Sequence, residues 1–285
     1  MQNGKTFFVT GATGNQGGAV VKHLLRAQCR VKALTRNKKA SRARFLFQDN
    51  VEIITGDLDE PASYADHLKD IDGLFAVLDY KQGPKKEIQQ GIDLVNTAKE
   101  TGIRHFLYSS VIGADAGTGI PHWESKDQIE SYIKQKGLHY TVLRPASLYE
   151  NMLIPQVKKR LFRGTLVTPL RKDRVHQYVS AFDVGRVASL IFNNPSAYIG
   201  KTINLAAEQM DGEAMAAVFS KVWGRQVGYK RLPGLITRLA MGSDVYKMFR
   251  WLNENKSLFV KDIPALKEEF PAFLSLEDWV RKFFR

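Results

Sequence analysis

The chain has 285 residues, of which 44% are hydrophobic and 25% are charged, as is ordinary for a globular protein. No apolar run approaches the ~18 residues that cross a bilayer, and no signal-peptide pattern follows Met1. A single cysteine, Cys29, excludes an internal disulfide. We therefore expect a cytoplasmic protein that has no membrane partner and buries a sizeable core.

The net charge of +13 favours anionic partners, so the placement of the basic residues matters. Most are spread along the chain, and no zinc-finger spacing, basic zipper or RNA-binding aromatic motif accompanies them. The densest stretch holds Lys158, Lys159, Arg160, Arg163, Arg171, Lys172 and Arg174. We expect this stretch to be a solvated face or a cofactor-side rim rather than a nucleic-acid surface.

The first half of the chain alternates short apolar runs with segments of helical periodicity. The predicted strands are Thr6–Thr10, Arg30–Thr35, Val51–Thr55, Gly73–Leu78, His105–Ser110 and His139–Leu143. Helical segments between successive strands require crossover connections, which place the strands parallel. The pattern therefore predicts an α/β fold with a doubly wound parallel sheet, the Rossmann fold.

The second half is less regular. Its predicted strands are Tyr178–Ala181, Lys201–Leu205 and Gln226–Arg231. Its predicted helices are Met152–Arg163, Val184–Phe192 with Asp183 as cap, Glu213–Val222, and a terminal helix that a capping box at Ser275 opens. We predict a Rossmann domain over residues 1–150, to which about 178–192 return, and a smaller α/β lobe for substrate or partner over 151–285.

Glycines recur directly after the first predicted strand, in the stretch Gly11-Ala12-Thr13-Gly14-Asn15-Gln16-Gly17. Glycine permits a tight turn and lets the backbone approach a pyrophosphate. The helix that follows offers unpaired N–H groups and the positive end of its dipole. This succession of strand, loop and helix predicts a dinucleotide site, with an ordinary glycine-rich turn as the alternative.

Arg36 follows the second predicted strand, where an NAD-binding domain places an acidic residue. A guanidinium cannot accept hydrogen bonds from ribose hydroxyls, but its planar fork suits a 2′-phosphate. Lys38 and Lys39 add positive potential. We therefore predict NADP(H) rather than NAD(H) as the cofactor; a plain surface charge is the alternative for Arg36. Asp57, after the third strand, is placed either to meet the adenine edge or to cap a turn.

Further stretches match one family together with the glycine loop. They are Thr35-Arg36-Asn37, Gly56-Asp57-Leu58, Tyr108-Ser109-Ser110, His122-Trp123-Glu124-Ser125-Lys126, residues 144–151 and residues 180–185. Over nearly its whole length the chain resembles the NmrA-like family of atypical short-chain dehydrogenases/reductases. The His-x-x-x-Lys stretch and the sequence Tyr149-Glu150-Asn151 are the more specific matches.

The resemblance implies a role in cofactor binding for each matching residue. Gly11 through Gln16 would hold the NADP phosphates, Arg36 the 2′-phosphate, and Asp57 with Leu58 would flank the adenine. Lys126 would meet the nicotinamide ribose. The remaining residues that would line the nicotinamide half are Leu78, Asp79, Tyr80, Leu148, Tyr149, Glu150 and Asn151. Asp79 departs from the family pattern, because relatives often have a neutral residue there.

Working members of the wider family use a tyrosine four residues before the lysine to give a proton to a carbonyl. Here that position is His122, and Tyr132 lies six residues after Lys126, on a different helix face. We therefore name Lys126 and His122 as the candidate catalytic residues, with His122 either a replacement acid or a solvated or cap-region histidine at or before the helix start. Ser109 and Ser110 either orient a carbonyl or bond to the local backbone.

The resemblance implies two kinds of function. Some family members are NADP-responsive regulators that bind protein partners, and others are NADPH-dependent reductases of quinones or similar carbonyls. Because the tyrosine is missing, we favour an NADP(H)-binding redox sensor without efficient carbonyl reduction. The alternative is an NADPH-dependent oxidoreductase for quinone-like small molecules, whose reduced products water can protonate. The histidines and Cys29 show no metal-ligand spacing, so we expect no metal.

Overall fold

The structure, a computed structural model, describes residues 4–255 and 258–284. The strands in these ranges are β1 (Thr6–Val9), β2 (Arg30–Thr35), β3 (Val51–Thr55), β4 (Gly73–Ala76), β5 (Phe106–Ser109), β6 (Tyr140–Pro145), β7 (Ser147–Leu148), β8 (Thr165–Thr168), β9 (His176–Val179), β10 (Thr202–Leu205), β11 (Glu208–Met210) and β12 (Gly228–Arg231). The helices are α1 (Asn15–Arg26), α2 (Pro84–Glu100), α3 (Pro121–Gln135), α4 (Pro155–Phe162), α5 (Ala181–Asn193), α6 (Pro195–Tyr198), α7 (Gly212–Trp223), α8 (Gly234–Glu254), α9 (Ile263–Glu269) and α10 (Leu276–Phe283).

The chain divides into two compact units. The first holds residues 4–117, His122–Arg144 and Ala181–Ile203. The second holds Thr118–Pro121, Pro145–Ser180 and the described residues from Asn204 onwards. The chain thus leaves the first unit after Arg144 and returns to it for α5 and α6.

The first unit is built on a sheet whose order, among the described residues, is β3-β2-β1-β4-β5-β6-β10. Strands β1 to β6 pair in parallel with their neighbours, which confirms the predicted doubly wound α/β fold. The strand order reverses between β1 and β4. In sheets of this kind, ligands bind at such a switch point, beyond the carboxyl ends of the strands.

Helices α1 and α5 lie against each other in the first unit, and a glycine sets their spacing. An ideal Cβ on Gly185 would lie 2.5 Å from the carbonyl carbon of Ala19, so only glycine permits this approach. Phe192, also on α5, places its ring 4.6 Å from that of Phe7 on β1. The prediction that Asp183 caps α5 is wrong, because the helix begins two residues earlier and buries Asp183 inside it.

The second unit contains two small sheets, β11-β9-β7 and β12-β8. Its core packs α7 and α10 together through fully buried aromatic side chains, among them Phe219 and Trp279. Helix α10 begins as predicted, since the Asp278 N–H donates to Ser275 Oγ at 3.1 Å. Helix α8 was not predicted; Gly242, at φ +86°, interrupts it with a kink.

Within the described ranges, no helix is long and apolar enough to cross a membrane. Nor do these ranges bring three or more histidine, cysteine or acidic side chains together in a way that would hold a metal ion.

Candidate functional site

The glycine loop joins β1 to α1 at the carboxyl edge of the sheet, beside the switch point. Gly11 has a φ of +55°, and an ideal Cβ there would lie 2.7 Å from Cγ1 of Val77. An ideal Cβ on Gly17 would lie 2.3 Å from the Gly11 carbonyl oxygen. Glycine is therefore required at both positions, at Gly11 for the turn and at Gly17 for the contact between helix and loop.

Gly14 immediately precedes α1. Its backbone is extended, with φ −89° and ψ −179°, so its conformation alone does not demand glycine. Among the described residues, no side chain caps α1 and no acidic residue stands in its first turn. The N–H groups of that turn and the positive end of the helix dipole therefore favour an anion at this end of the helix.

Thr10 connects the two strands that flank the switch point, a role that no motif in the sequence indicates. Its Oγ1 accepts a hydrogen bond from the Val77 N–H at 2.8 Å and donates to the Val77 carbonyl at 2.9 Å. These two bonds tie the end of β1 to the segment that follows β4. They also fix Val77, whose Cγ1 would lie 2.7 Å from an ideal Cβ on Gly11.

Arg36 lies directly after β2 on the same edge of the sheet and is exposed. It makes no ion pair within the described part of the chain, and the neighbouring Lys38 and Lys39 are also exposed. Three positive charges thus stand beside the glycine loop on its β2 side. A fork of donors that no carboxylate occupies is suited to a phosphate group.

Asp57 and Leu58 follow β3, one strand further along the same edge. Asp57 Oδ1 accepts a hydrogen bond from the Asp59 N–H at 3.1 Å, so this carboxylate closes a local turn. Leu58 packs against the core of the first unit. Asp59 lies 2.5 Å from Lys86 Nζ, and that bond is the main reason why the pKa of Asp59 is lowered; the charge of Arg36 contributes less.

The segment after β4 carries Leu78, Asp79 and Tyr80. Leu78 is buried, and Asp79 is exposed with its carboxylate capping the short turn that follows. The Tyr80 ring lies 5.0 Å from the ring of His122. His122 is buried in the first turn of α3, so it is not solvated; a histidine in the cap region of the helix, the other form of that alternative, agrees with this position.

Lys126 lies one turn after His122 on α3 and is also buried. Its Nζ donates to Glu87 Oε1 at 2.7 Å, and Ser125 Oγ donates to the other Glu87 oxygen at 2.6 Å. Glu87 is fully buried on α2. A protonated lysine and an ionised carboxylate therefore form a close internal pair whose net charge is zero. Sequence reasoning missed Glu87, because nothing near position 87 marks it as the partner of Lys126.

The packing of α2 on α3 explains why these side chains meet. An ideal Cβ on Gly91 would lie 2.7 Å from Cγ1 of Ile129, so the two helices are as close there as glycine allows. Glu87 lies one turn before Gly91 on α2, and Ser125 lies one turn before Ile129 on α3. Two parallel helices that touch at one turn bring the preceding turns together as well.

Tyr108 on β5 completes the surroundings of Lys126. Lys126 Nζ lies 5.9 Å from the centre of the Tyr108 ring. The Tyr108 hydroxyl is buried and has no hydrogen-bond partner among the described residues. Burial, with the nearby charges of Glu87 and Glu130, raises the pKa of Tyr108 well above its usual value. The hydroxyl therefore stays protonated at physiological pH.

The two serines at the end of β5 have different partners. Ser109 Oγ donates to Gln16 Oε1 at 2.6 Å, which links β5 to the first turn of α1. Ser110 Oγ donates to Glu130 Oε1 at 2.5 Å. Arg144 also binds Glu130, through Nε at 2.9 Å and Nη2 at 2.6 Å. Neither serine hydroxyl bonds to local backbone in these contacts, and Ser110 belongs to a buried ionic network.

The remaining predicted site residues, 148–151, lie in the second unit. The Tyr149 hydroxyl donates to Glu208 Oε2 at 2.8 Å, and Trp279 Nε1 donates to Glu150 Oε1 at 3.0 Å. Leu148 is half-buried and Asn151 is exposed. These contacts hold the segment within its own unit, and its role toward a nicotinamide stays a prediction.

Comparison with known proteins places the chain in a family. A model of the NmrA-like family matches residues 3–279. The NAD(P)H azoreductase of Xenophilus azovorans is 29% identical over 223 residues, which cover 78% of this chain and 75% of that protein.

Solved structures agree in fold. The crystal structure of NmrA, a negative transcriptional regulator, in complex with NADP has a TM-score of 0.82 at 22% identity and covers 99% of this chain and 96% of its own. An NADPH-dependent quinone oxidoreductase from Escherichia coli, complexed with NADPH, has a TM-score of 0.80 at 21% identity, with 98% and 100% covered. Because the family model spans nearly the entire chain, this protein belongs to the NmrA-like family.

Proposed function

We propose that the protein binds NADP(H) along the carboxyl edge of its seven-stranded sheet. The observation that carries this proposal is the cradle at Gly11 and Gly17, where a Cβ would collide with neighbouring atoms, at the uncapped start of α1. Such a cradle suits a pyrophosphate. Solved structures of NmrA with NADP and with NAD, and of the Escherichia coli quinone oxidoreductase with NADPH, share this fold, which supports a nicotinamide dinucleotide as the ligand. The choice of NADP(H) rests on Arg36.

The sheet order gives each half of the dinucleotide its own side of the loop. Arg36 follows β2 on one side of β1. Lys126 lies over Tyr108 of β5, two strands from β1 on the other side. We assign the 2′-phosphate to Arg36, with Lys38 and Lys39 adding charge, and the nicotinamide ribose to Lys126.

The binding proposal is tested by calorimetric titration of the purified protein with NADP⁺, NADPH, NAD⁺ and NADH. We expect both phosphorylated cofactors to bind at least about tenfold more tightly than the other two, since one charge-assisted phosphate contact readily supplies the corresponding ~1.4 kcal/mol. Equal affinities for NADP⁺ and NAD⁺ would contradict the assignment of Arg36.

For the role of the bound cofactor, we propose a redox sensor that reports the NADP⁺/NADPH state to a protein partner without efficient carbonyl reduction. The position that needs an acid for ketone reduction holds His122, which is buried against Tyr80. Lys126 is paired with Glu87 rather than with a tyrosine hydroxyl. This arrangement lacks the tyrosine that usually supplies the proton for carbonyl reduction.

A second candidate is an NADPH-dependent reductase of quinone-like acceptors. The similarity to an azoreductase, at 29% identity, favours it. When bound, NADPH supplies a hydride, and a conjugated acceptor such as a quinone takes it without a strong protein acid, because water protonates the product. This chain's own residues would then only hold the cofactor and orient the acceptor.

The two roles are separated by measuring NADPH consumption with a panel of benzoquinones, naphthoquinones, azo dyes, aldehydes and ketones. The sensor proposal expects tight cofactor binding and negligible turnover with every acceptor. Rapid turnover confined to quinones and azo dyes would establish the reductase. Rapid turnover of simple ketones would contradict both proposals, since neither provides an acid for that reaction.

A further inference from the structure

The pair Lys126–Glu87 has a property that ribose binding alone does not require. Its two charges are buried together, with Lys126 Nζ 2.7 Å from Glu87 Oε1, and side-chain exposures of only 8% and 0%. Both Glu87 oxygens are used, one by Lys126 and the other by Ser125. A lysine that only had to bind a ribose hydroxyl could keep its charge in solvent. Here the fully buried carboxylate of Glu87 cancels the charge of Lys126.

Glu130 on α3 is another buried carboxylate and has its own cationic partner. Glu130, one turn later on α3, binds Arg144 through both carboxylate oxygens. His122 lies one turn earlier, and Tyr108 faces Lys126 from β5 with a neutral hydroxyl. Glu87 is therefore the carboxylate that binds Lys126 directly and offsets its charge.

The position of the pair along the sheet connects it to the reacting end of the cofactor. Lys126 lies over β5, which is two strands, or about 10 Å, from the glycine loop of β1. Ser109, at the end of β5, binds Gln16 of the loop segment, so this strand end and the phosphate cradle belong to one edge. Arg36 marks the adenosine side, on the opposite side of β1.

The two redox forms of the cofactor differ in charge at this end. The oxidised nicotinamide ring is a cation, and the reduced ring is neutral. A lone lysine charge would repel the oxidised ring and leave the reduced ring unaffected, whereas a neutral pair would not discriminate in this way. We propose that the Glu87 carboxylate sets the relative affinity for NADP⁺ and NADPH by cancelling the charge of Lys126. This inference rests on the proposed function.

The test is the ratio of dissociation constants, Kd(NADP⁺)/Kd(NADPH), measured by calorimetry on the full chain, four variants of the pair and one control variant. In Glu87→Gln we expect the ratio to rise roughly tenfold, the size of one unit charge acting over ~12 Å at an effective dielectric constant of about 20. In Lys126→Met, which leaves the carboxylate alone, the ratio should fall. In the double variant Glu87→Gln/Lys126→Met it should return to the wild-type value, and in Glu87→Asp it should stay close to it.

Opposite shifts of the ratio in the two single variants distinguish this role from a structural one. Loss of packing would weaken the binding of NADP⁺ and of NADPH to the same extent. Should Glu87→Gln fail to fold, the fall in Lys126→Met and the return in the double variant still test the proposal. Glu52 is an exposed carboxylate at the start of β3, and Glu52→Gln is the matched control, which should leave the ratio unchanged. A wild-type ratio in Glu87→Gln, or shifts of both single variants in the same direction, would overturn the inference.

Adenosine 2′,5′-bisphosphate separates this inference from the proposed function, since it lacks the nicotinamide half. All variants should bind it as the wild type does. If the wild type binds neither this compound nor NADP⁺, the proposed function fails, and the inference fails with it. If the wild type and all variants bind it equally while the ratio never moves, only the inference fails.

Discussion

At the scale of single residues, Arg36 is the position where cofactor preference is decided. We expect Arg36→Ala to lower the affinity for NADP⁺ at least about tenfold and to leave that for NAD⁺ nearly unchanged, because the 2′-phosphate loses its charged fork. Arg30 begins the same strand at the opposite edge of the sheet, where it donates to the Gly4 carbonyl, and Arg30→Ala is the matched control. If both variants lost the same affinity for NADP⁺, overall charge and not a specific contact would govern binding.

His105 is buried in the first unit, and its protonation affects the stability of the fold. Its Nε2 lies 2.8 Å from Thr141 Oγ1, and that hydroxyl donates to the Tyr198 carbonyl, so Nε2 must carry the donated proton. Nδ1 is buried with no partner among the described residues, and a proton there would have no acceptor. Burial accordingly lowers the pKa of His105 from 6.5 to about 4.

Because the folded pKa lies below the unfolded one, His105 stabilises the fold fully above pH 6.5, and this contribution is lost as the pH falls toward 4. We expect a loss of about 3 kcal/mol over that window. Urea unfolding of the wild type and of His105→Gln between pH 7.5 and 4.5 measures it, and the variant should show the shallower dependence. His176, whose pKa burial also lowers to about 4, titrates in both proteins and cancels in the comparison. Parallel curves would contradict the assignment.

Among the elements, the glycine loop lies against the start of α1, and substitutions at Gly17 and Gly14 should therefore have different effects. Gly17→Ala places a Cβ 2.3 Å from the Gly11 carbonyl oxygen, so the loop must move, and we expect about 1–3 kcal/mol of lost stability together with weaker NADP⁺ binding. Gly14→Val adds bulk at an extended position before α1, where we expect loss of binding with the fold retained.

Thermal melting with and without NADP⁺ separates these two outcomes. Gly17→Ala should melt at a lower temperature even without ligand, and Gly14→Val should melt near the wild type but show no shift with ligand. Gly228→Ala is the control, because an ideal Cβ at Gly228 meets no atom within 4 Å. A ligand-induced shift that persists in Gly14→Val would count against the loop as the phosphate site.

Some elements and contacts could be predicted from the sequence, and others could not. Buried parallel strands are continuous apolar runs, so β1 to β6 were predicted to within one or two residues at each end. Helix α8 was missed because several of its apolar side chains, among them Leu235 and Leu239, are exposed and form no stripe facing a core. The partnership of Glu87 with Lys126 was missed because it joins residues 39 positions apart, and only the packing of α2 on α3 brings them together.

At the scale of the whole molecule, a doubly wound sheet explains why the predicted cofactor residues come from distant parts of the sequence. The glycine loop, Arg36, Asp57 and Leu78 each follow a parallel strand, and carboxyl ends of parallel strands meet at one edge. That edge was predictable from the order of strands and motifs alone. The side-chain partners of His122, Ser109 and Ser110 were not, because each depends on how a helix packs over the sheet.

The role of His122 decides what the protein does with a bound cofactor. Buried in the first turn of α3 with its ring 5.0 Å from Tyr80, His122 is placed by packing. We expect His122→Ala to leave NADPH affinity within about twofold of the wild type, because it removes no group assigned to the cofactor. If His122 supplied the proton for a carbonyl, its loss would slow turnover by ~10²–10⁴-fold at neutral pH.

Stopped-flow NADPH oxidation by the wild type and His122→Ala, with a benzoquinone and a matched ketone as acceptors, makes the comparison. A sensor shows negligible turnover with both acceptors in both proteins. A reductase that relies on water for its protons reduces the quinone at equal rates in both. Rapid ketone reduction by the wild type that collapses in His122→Ala would show instead that histidine has taken over the work of the missing tyrosine. In that case the protein would be a carbonyl reductase with an altered acid.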